Sequence, residues 1–135
     1  MTALVTLLAI ALIALVLRRK LMVVTVRGAS MQPTLTDGDR LLVKRNGAKA
    51  VRRNALVVLA YDFEPPGGQA RSELMVKRVA AGPGDAVPPG MPVPERLVPP
   101  GRLLLIGDNA AGSADSRRVG YYPTSSVGGA VVRRV

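Results

Sequence analysis

The first twenty residues constrain the fold of this chain more than any other segment. Residues 2–17 carry no charge, and the basic cluster Arg18-Arg19-Lys20 follows directly. A helix over this run would be about 25 Å long, and the long basic side chains could reach the polar interface beyond it. A cleaved secretory signal lacks support, because no basic segment precedes the run and no small-residue cleavage site separates it from the cluster. A buried core helix is the other alternative, but this one would be apolar on every side. We therefore predict a single-pass membrane anchor with its basic flank over residues 2–20.

The remaining residues, 21–135, have the pattern of a small, mostly β domain. No convincing 3.6-residue period occurs after residue 20, whereas short β-branched runs alternate with Gly- and Pro-rich turns. The predicted strands are 21–27, 40–45, 55–61, 73–80, 103–106 and 126–135, and we expect the densely apolar strand 55–61 to be central in the sheet. The predicted loops are 46–54, 62–72, 87–100, which contains six prolines, and 108–120.

Composition excludes several kinds of site. The chain has no histidine and no cysteine, so disulfides, thiolate metal sites and histidine-dependent catalysis are ruled out. The net charge of +10 favours an anionic partner, but one Phe and three Tyr are too few for base stacking. We expect membrane phospholipid rather than nucleic acid as that partner.

Ser30 lies in a loop shaped by glycine and proline, directly after the first predicted strand. If this serine is a nucleophile, the remaining common base is a lysine with a depressed pKa. Lys77, within the apolar run 74–79, is the residue that fits. To act near neutral pH its pKa would have to fall by about 3 units, equivalent to about 4 kcal/mol, from about 10.4. Taken singly, Ser30 is more simply a turn serine and Lys77 an outward-facing strand lysine.

A third polar segment follows the predicted strand 103–106. It contains Gly107-Asp108-Asn109 and then Ser113-Ala114-Asp115-Ser116-Arg117. Such residues favour turns whatever their function, but in a loop they can also aim hydroxyl groups and a carboxylate at one point.

In this order the three segments resemble the motifs of the type I signal peptidases, which are membrane-anchored serine–lysine peptidases. The family motif Ser-Met-x-Pro-Thr-Leu matches residues 30–35 in full. Lys77-Arg78 with Pro83-Gly84-Asp85 is similar to its lysine motif, and residues 107–117 are similar to its third motif. The resemblance covers roughly residues 5 to 125. The stretch between Asp85 and Gly107 is too short for the second β domain of some members, so the resemblance implies a minimal catalytic core.

The resemblance also implies roles for individual residues. Ser30 would be the nucleophile, and its backbone amide an oxyanion donor. Lys77 would be the general base, oriented by a hydrogen bond with Ser113. Asp115 would pair with Arg117 and hold the third loop. The other implied residues are substrate contacts, at Val26, Met31 and Met75. No cofactor or metal is implied.

The function implied is cleavage of signal peptides or leader segments from precursor proteins after small residues. An alternative is a dedicated protease that matures one precursor, such as that of nickel superoxide dismutase. A self-cleaving repressor lacks the expected helix-turn-helix, and a non-catalytic basic module at the membrane surface would not need Ser30 or Lys77. The basic cluster favours a cytoplasmic catalytic domain, whereas the resemblance places that domain outside the cytoplasm. We follow the resemblance.

Overall fold

The computed structural model describes residues 1–63 and 66–135, and the side chains of Phe63 and Arg71 are not among the described parts. Within these residues, a long N-terminal helix is followed by seven strands and a single helical turn. In chain order the helices and strands are α1 (Thr2–Lys20), β1 (Leu21–Thr25), β2 (Arg40–Lys44), β3 (Leu56–Phe63), β4 (Arg71–Ala81), β5 (Arg102–Ile106), α2 (Ser116–Val119), β6 (Tyr122–Pro123) and β7 (Val127–Arg134). Three short 3₁₀ helices occupy Gly47–Ala50, Ala110–Gly112 and Thr124–Ser126.

The strands form one antiparallel sheet in the order β1-β2-β7-β3-β4-β5-β6. The predicted mostly β fold is therefore confirmed. The sheet curves until β1 and β4 face each other across an open groove. Strand β7 can lie close to β2 because residue 129 is a glycine. A methyl group on Gly129 would lie 2.9 Å from the Lys44 carbonyl carbon.

The centre of the sheet is buried on both faces. The consecutive β3 residues Val57, Val58 and Leu59 are all at most 1 % exposed. Because neighbouring strand residues point to opposite faces, the apolar core lies on both sides of β3. The prediction that this densely apolar strand is central is confirmed.

The helix α1 is long and apolar enough to cross a membrane, and none of its residues is buried. Its 19 residues extend about 28 Å, close to the ~30 Å thickness of a hydrocarbon core. The chain passes from Lys20 directly into β1, and the Lys20 carbonyl accepts a hydrogen bond from the Arg45 amide at 2.7 Å. The helix is thus joined to the sheet without a linker.

Several predicted boundaries are wrong. The predicted loop 62–72 is shorter in the structure, because backbone pairing of Asp62 with Ser72 extends β3 and β4 into polar sequence. Glu64 and Pro65, in the same predicted loop, lie outside the described residues. The predicted loop 46–54 contains a 3₁₀ turn that buries Ala50.

The predicted loop 108–120 contains α2, and the short strand β6 was not predicted at all. Both elements are too short to produce a periodic pattern. The helical turn of α2 depends instead on its N-cap, Asp115, whose side chain accepts a hydrogen bond from the Arg117 amide.

Candidate active site

Lys77 is buried at the centre of β4, opposite Val57 of β3. Only 3 % of its surface is exposed, and its Nζ donates a hydrogen bond to Ser113 Oγ at 3.0 Å. Burial lowers the pKa of Lys77 below its ordinary value of 10.5, and the charge of Arg117 lowers it further, while the carboxylate of Asp115 acts in the opposite direction. The ammonium form is therefore disfavoured in this position.

Ser30 lies in the loop between β1 and β2, and the third polar segment holds its backbone in place. Its carbonyl accepts a hydrogen bond from the Asn109 amide at 2.9 Å, and Asn109 Nδ2 donates to the Ala29 carbonyl at 3.1 Å. Met31 anchors the loop in the apolar core, with 1 % of its surface exposed. The Ser30 side chain makes no hydrogen bond with any described residue, so the structure does not connect it directly to Lys77.

Gly107 is the point where the Ser30 loop meets the partner of Lys77. A methyl group on Gly107 would overlap Ser113 Oγ and lie 2.5 Å from the Ser30 carbonyl oxygen. The absence of a side chain here lets Ser30 and Ser113 approach each other. Sequence reasoning did not select Gly107, although it opens the Gly-Asp-Asn segment.

Asp115 fixes the loop that carries Ser113. Its carboxylate is completely buried and accepts hydrogen bonds from the Gly107 amide at 2.8 Å and from Arg117 Nε at 3.0 Å. The Arg117 guanidinium also donates to the Gly107 carbonyl at 2.9 Å. Burial alone would raise the pKa of Asp115, but the hydrogen bonds from Arg117 and Gly107 outweigh it and hold the pKa far below its usual range. The expected pairing of Asp115 with Arg117 is present.

A second ion pair, which sequence reasoning missed, connects the Ser30 loop to β4. Arg78 donates to Asp108 through Nε at 2.8 Å and Nη2 at 2.7 Å, and Thr34 Oγ1 donates to the same carboxylate. The hydrogen bonds from Arg78 lower the pKa of Asp108. Arg78 follows Lys77 directly in the sequence, and this position next to the candidate base could have indicated that Arg78 belongs to the site.

An open groove of about 580 Å³ runs between β1 and β4 toward Ser30. It is lined by Val23, Val24, Thr25, Arg27, Glu73 and Leu74. Beside Ser30 it adjoins a small cavity of about 20 Å³. The three predicted substrate contacts, Val26, Met31 and Met75, all border this cavity.

Among residues 1–63 and 66–135, β1 is the last strand of the sheet and pairs with β2, and the pairing of β5 with β4 runs from Arg78 to Ala81. An extended peptide could add beside β1 or β4. Within residues 1–63 and 66–135, no group of three or more acidic side chains could hold a metal ion.

Replacing Gly107 with alanine is expected to lower by about 100-fold the kcat/KM of any reaction that Ser30 and Lys77 carry out together, because displacing a catalytic group by about 1 Å has an effect of that order. The new methyl group must push Ser113 or the Ser30 backbone away. Gly128→Ala is the matched control, since its nearest neighbour lies at an ordinary 3.7 Å. Equal activity in the two variants, both with unchanged melting temperature, would show that Gly107 does not set the site geometry.

The fold and the site are those of a small β protein in which a serine loop lies next to a buried lysine. Residues 1–89 and 90–135 match the family described as signal peptidase, peptidase S26. The chain belongs to this family. It is 34 % identical over 114 residues to mitochondrial inner membrane protease subunit 1 of Schizosaccharomyces pombe, a match covering 80 % of this chain and 69 % of the relative.

A second relative is probable signal peptidase I-1 of Synechocystis sp.. It is 27 % identical over 135 residues, which cover 73 % of this chain. The match spans 62 % of the length of this cyanobacterial relative.

Proposed function

We propose that this protein is a membrane-anchored serine endopeptidase that removes signal peptides or leader segments from precursor proteins. Residues 2–20 would be the anchor and 21–135 the catalytic domain, on the extracytoplasmic side. The observation that carries the proposal is the burial of Lys77 against Ser113, next to the loop that presents Ser30. Family membership supports the same reading.

In this mechanism Ser30 Oγ attacks the scissile carbonyl carbon while its proton passes to the neutral amine of Lys77. The Ser30 amide stabilises the resulting oxyanion, and the C–N bond then breaks as Lys77 returns the proton to the leaving amine. Water next attacks the acyl ester, again giving a proton to Lys77, and Ser30 recovers its proton when the ester bond breaks. Hydrogen bonds between catalytic groups often tighten only in the substrate complex. We therefore expect the missing contact between Ser30 and Lys77 to form when a precursor occupies the groove.

The positions of β1 and β4 on either side of the groove support binding of the precursor as an extended strand between them. The small cavity beside Ser30 supports cleavage after a small residue. At about 20 Å³ it has room for little more than one water-sized group. Such a space suits a methyl side chain better than a larger one.

Truncating the wall of this cavity should relax the preference for small residues. We compare two precursors, one with valine and one with alanine before the scissile bond. In Met75→Ala the ratio of their kcat/KM values, valine over alanine, should be about tenfold higher than in the wild type, because pockets discriminate by about 10-fold or more per methylene. Competition between the two precursors in one reaction measures this ratio directly. Val23→Ala is the control, because Val23 is exposed and lines the open groove but does not border the small cavity. An unchanged ratio in Met75→Ala would place the selective pocket elsewhere.

The pH dependence of cleavage tests the proposal as a whole. Since burial lowers the pKa of Lys77, the neutral amine is present at pH values where an ordinary lysine is charged. With an Ala-x-Ala precursor in detergent, kcat/KM should rise with pH and reach its plateau below pH 10.5. Lys49→Met, which removes an exposed lysine, should leave this profile unchanged. A rise of kcat/KM whose midpoint lies at or above pH 10.5 would contradict a buried lysine as the base.

The same shift predicts the direction of the linked stability change. The unfolded chain binds the Lys77 proton more tightly than the folded chain does. The free energy of unfolding should therefore increase with pH through the window between the folded pKa and 10.5.

A further inference from the structure

A basic cleft of about 550 Å³ lies at the foot of α1, away from the groove that leads to Ser30. It is lined by Lys20, Lys44, Arg45, Asn46, Lys49 and Arg52. Three of the four lysines in the chain line this cleft, and the fourth is Lys77. The catalytic mechanism uses none of the cleft residues.

The five cations of the cleft have no anionic partner among the described residues. The ion pairs within that part of the chain involve Arg78, Arg117 and Arg134. Asn46 Oδ1 accepts a hydrogen bond from the Ala130 amide at 3.2 Å, while its NH₂ group donates to no described residue. Like charges gathered in one concavity raise the potential there, so the cleft is suited to bind an anion through several cations and one amide donor.

The position of the cleft favours one source for that anion. Lys20 is the last residue of α1, and its carbonyl bonds the Arg45 amide at 2.7 Å. Leu21, the first residue of β1, pairs with Lys44. If α1 crosses the bilayer, as proposed above, these two contacts hold the cleft at the depth where the helix leaves the hydrocarbon. Lipid phosphates lie at that depth on either side of a membrane.

We propose that this cleft binds the headgroup of an anionic phospholipid, with its phosphate diester among the basic side chains. Bound there, the lipid would tie the catalytic domain to the membrane surface at a second point beside α1. A single helix lets the catalytic domain rotate about the helix axis. A bound lipid, as a second point of attachment, would prevent this rotation. The proposal rests on the proposed membrane anchor but not on proteolytic activity.

The test uses the full chain in uncharged detergent micelles, titrated separately with short-chain phosphatidylglycerol, short-chain phosphatidylcholine and inorganic phosphate. Binding is read from the NMR shifts of isotopically labelled lysine side chains and from the melting temperature. We expect saturable binding of phosphatidylglycerol only. Each basic residue near an anionic lipid surface contributes about fivefold in affinity, so Lys44→Gln with Arg52→Gln should weaken binding by about 25-fold.

The control is Arg118→Gln with Arg133→Gln, which removes the same charge from exposed positions outside the cleft. It should change the affinity by no more than about twofold. Equal losses in the two double variants would show general charge attraction and overturn the proposal. Equal binding of phosphatidylcholine, or of inorganic phosphate alone, would overturn a site specific for an anionic lipid headgroup. None of these readouts depends on precursor cleavage, so a failure here is distinct from a failure of the peptidase mechanism.

Discussion

Replacing Ser30 with alanine is expected to lower kcat/KM for precursor cleavage by at least about 10⁴-fold, because loss of the nucleophile removes the covalent route entirely. The folded structure should be unaffected, since the Ser30 side chain makes no hydrogen bond with a described residue. The measurement is the initial rate of cleavage of an Ala-x-Ala precursor in detergent, with the product N-terminus sequenced.

Ser125→Ala is the matched control, because Ser125 is exposed and lies outside the groove. It should cleave at the wild-type rate. Substantial residual activity in Ser30→Ala would mean that a different group attacks the scissile bond. Absence of cleavage by the folded wild type would instead favour the alternative of a basic, non-catalytic module at the membrane surface, for which Ser30 is dispensable.

The second large effect is expected for Lys77→Met, which keeps about the length of the aliphatic chain and removes the terminal amine. Activity should again fall by at least about 10⁴-fold, and a Ser30→Ala, Lys77→Met double variant should be no slower than either single variant, because the two residues act as one unit. The melting temperature at neutral pH should stay equal or rise, since burial disfavours the charged amine that is lost.

Lys77→Arg tests whether proton transfer or mere positive charge is needed at this position. An arginine side chain cannot give up its proton near neutral pH, so this variant should be as inactive as Lys77→Met. Recovery of activity with arginine, in a variant that folds normally, would contradict a general-base role. It would indicate instead that position 77 stabilises negative charge.

The strands of this protein could be predicted from the sequence because their pattern is local. Val24 and Val26 are buried while Val23 and Thr25 are not, as alternation along β1 predicts. The central position of β3 followed from its unbroken apolar run. The extent of its pairing with β4 could not be foreseen, since polar residues enter those strands only because a partner strand supplies their hydrogen bonds.

The burial of Lys77 illustrates where a single sequence stops being informative. Alternation puts Lys77 on the same face as Met75, but both faces of β4 carry apolar residues, so the pattern does not say which face is covered. The structure shows that β3 and the Ser113 loop together enclose the amine. That enclosure depends on contacts between residues 36 positions apart.

The roles of Gly107 and Asp108 were missed for the same reason. Gly, Asp and Asn occur in turns irrespective of function, and only the folded chain shows which of them touch the Ser30 loop. Gly107 contributes because it has no Cβ atom to displace Ser113 or Ser30, and Asp108 contributes by pairing with Arg78 in a distant strand. No local pattern records either fact.

The proposed mechanism requires Lys77 to be a neutral amine at the pH of cleavage, and an NMR titration of the lysine side chains tests this directly. The chain contains four lysines, so the Lys77 signal can be assigned by its absence in Lys77→Met. The other three lysines, Lys20, Lys44 and Lys49, are exposed in the structure. We expect Lys77 to lose its proton well below pH 10.5, and this titration to coincide with the rise of kcat/KM with pH. A Lys77 that keeps its proton up to pH 10.5 or beyond, in a protein that still cleaves precursors near neutral pH, would show that Lys77 is not the general base.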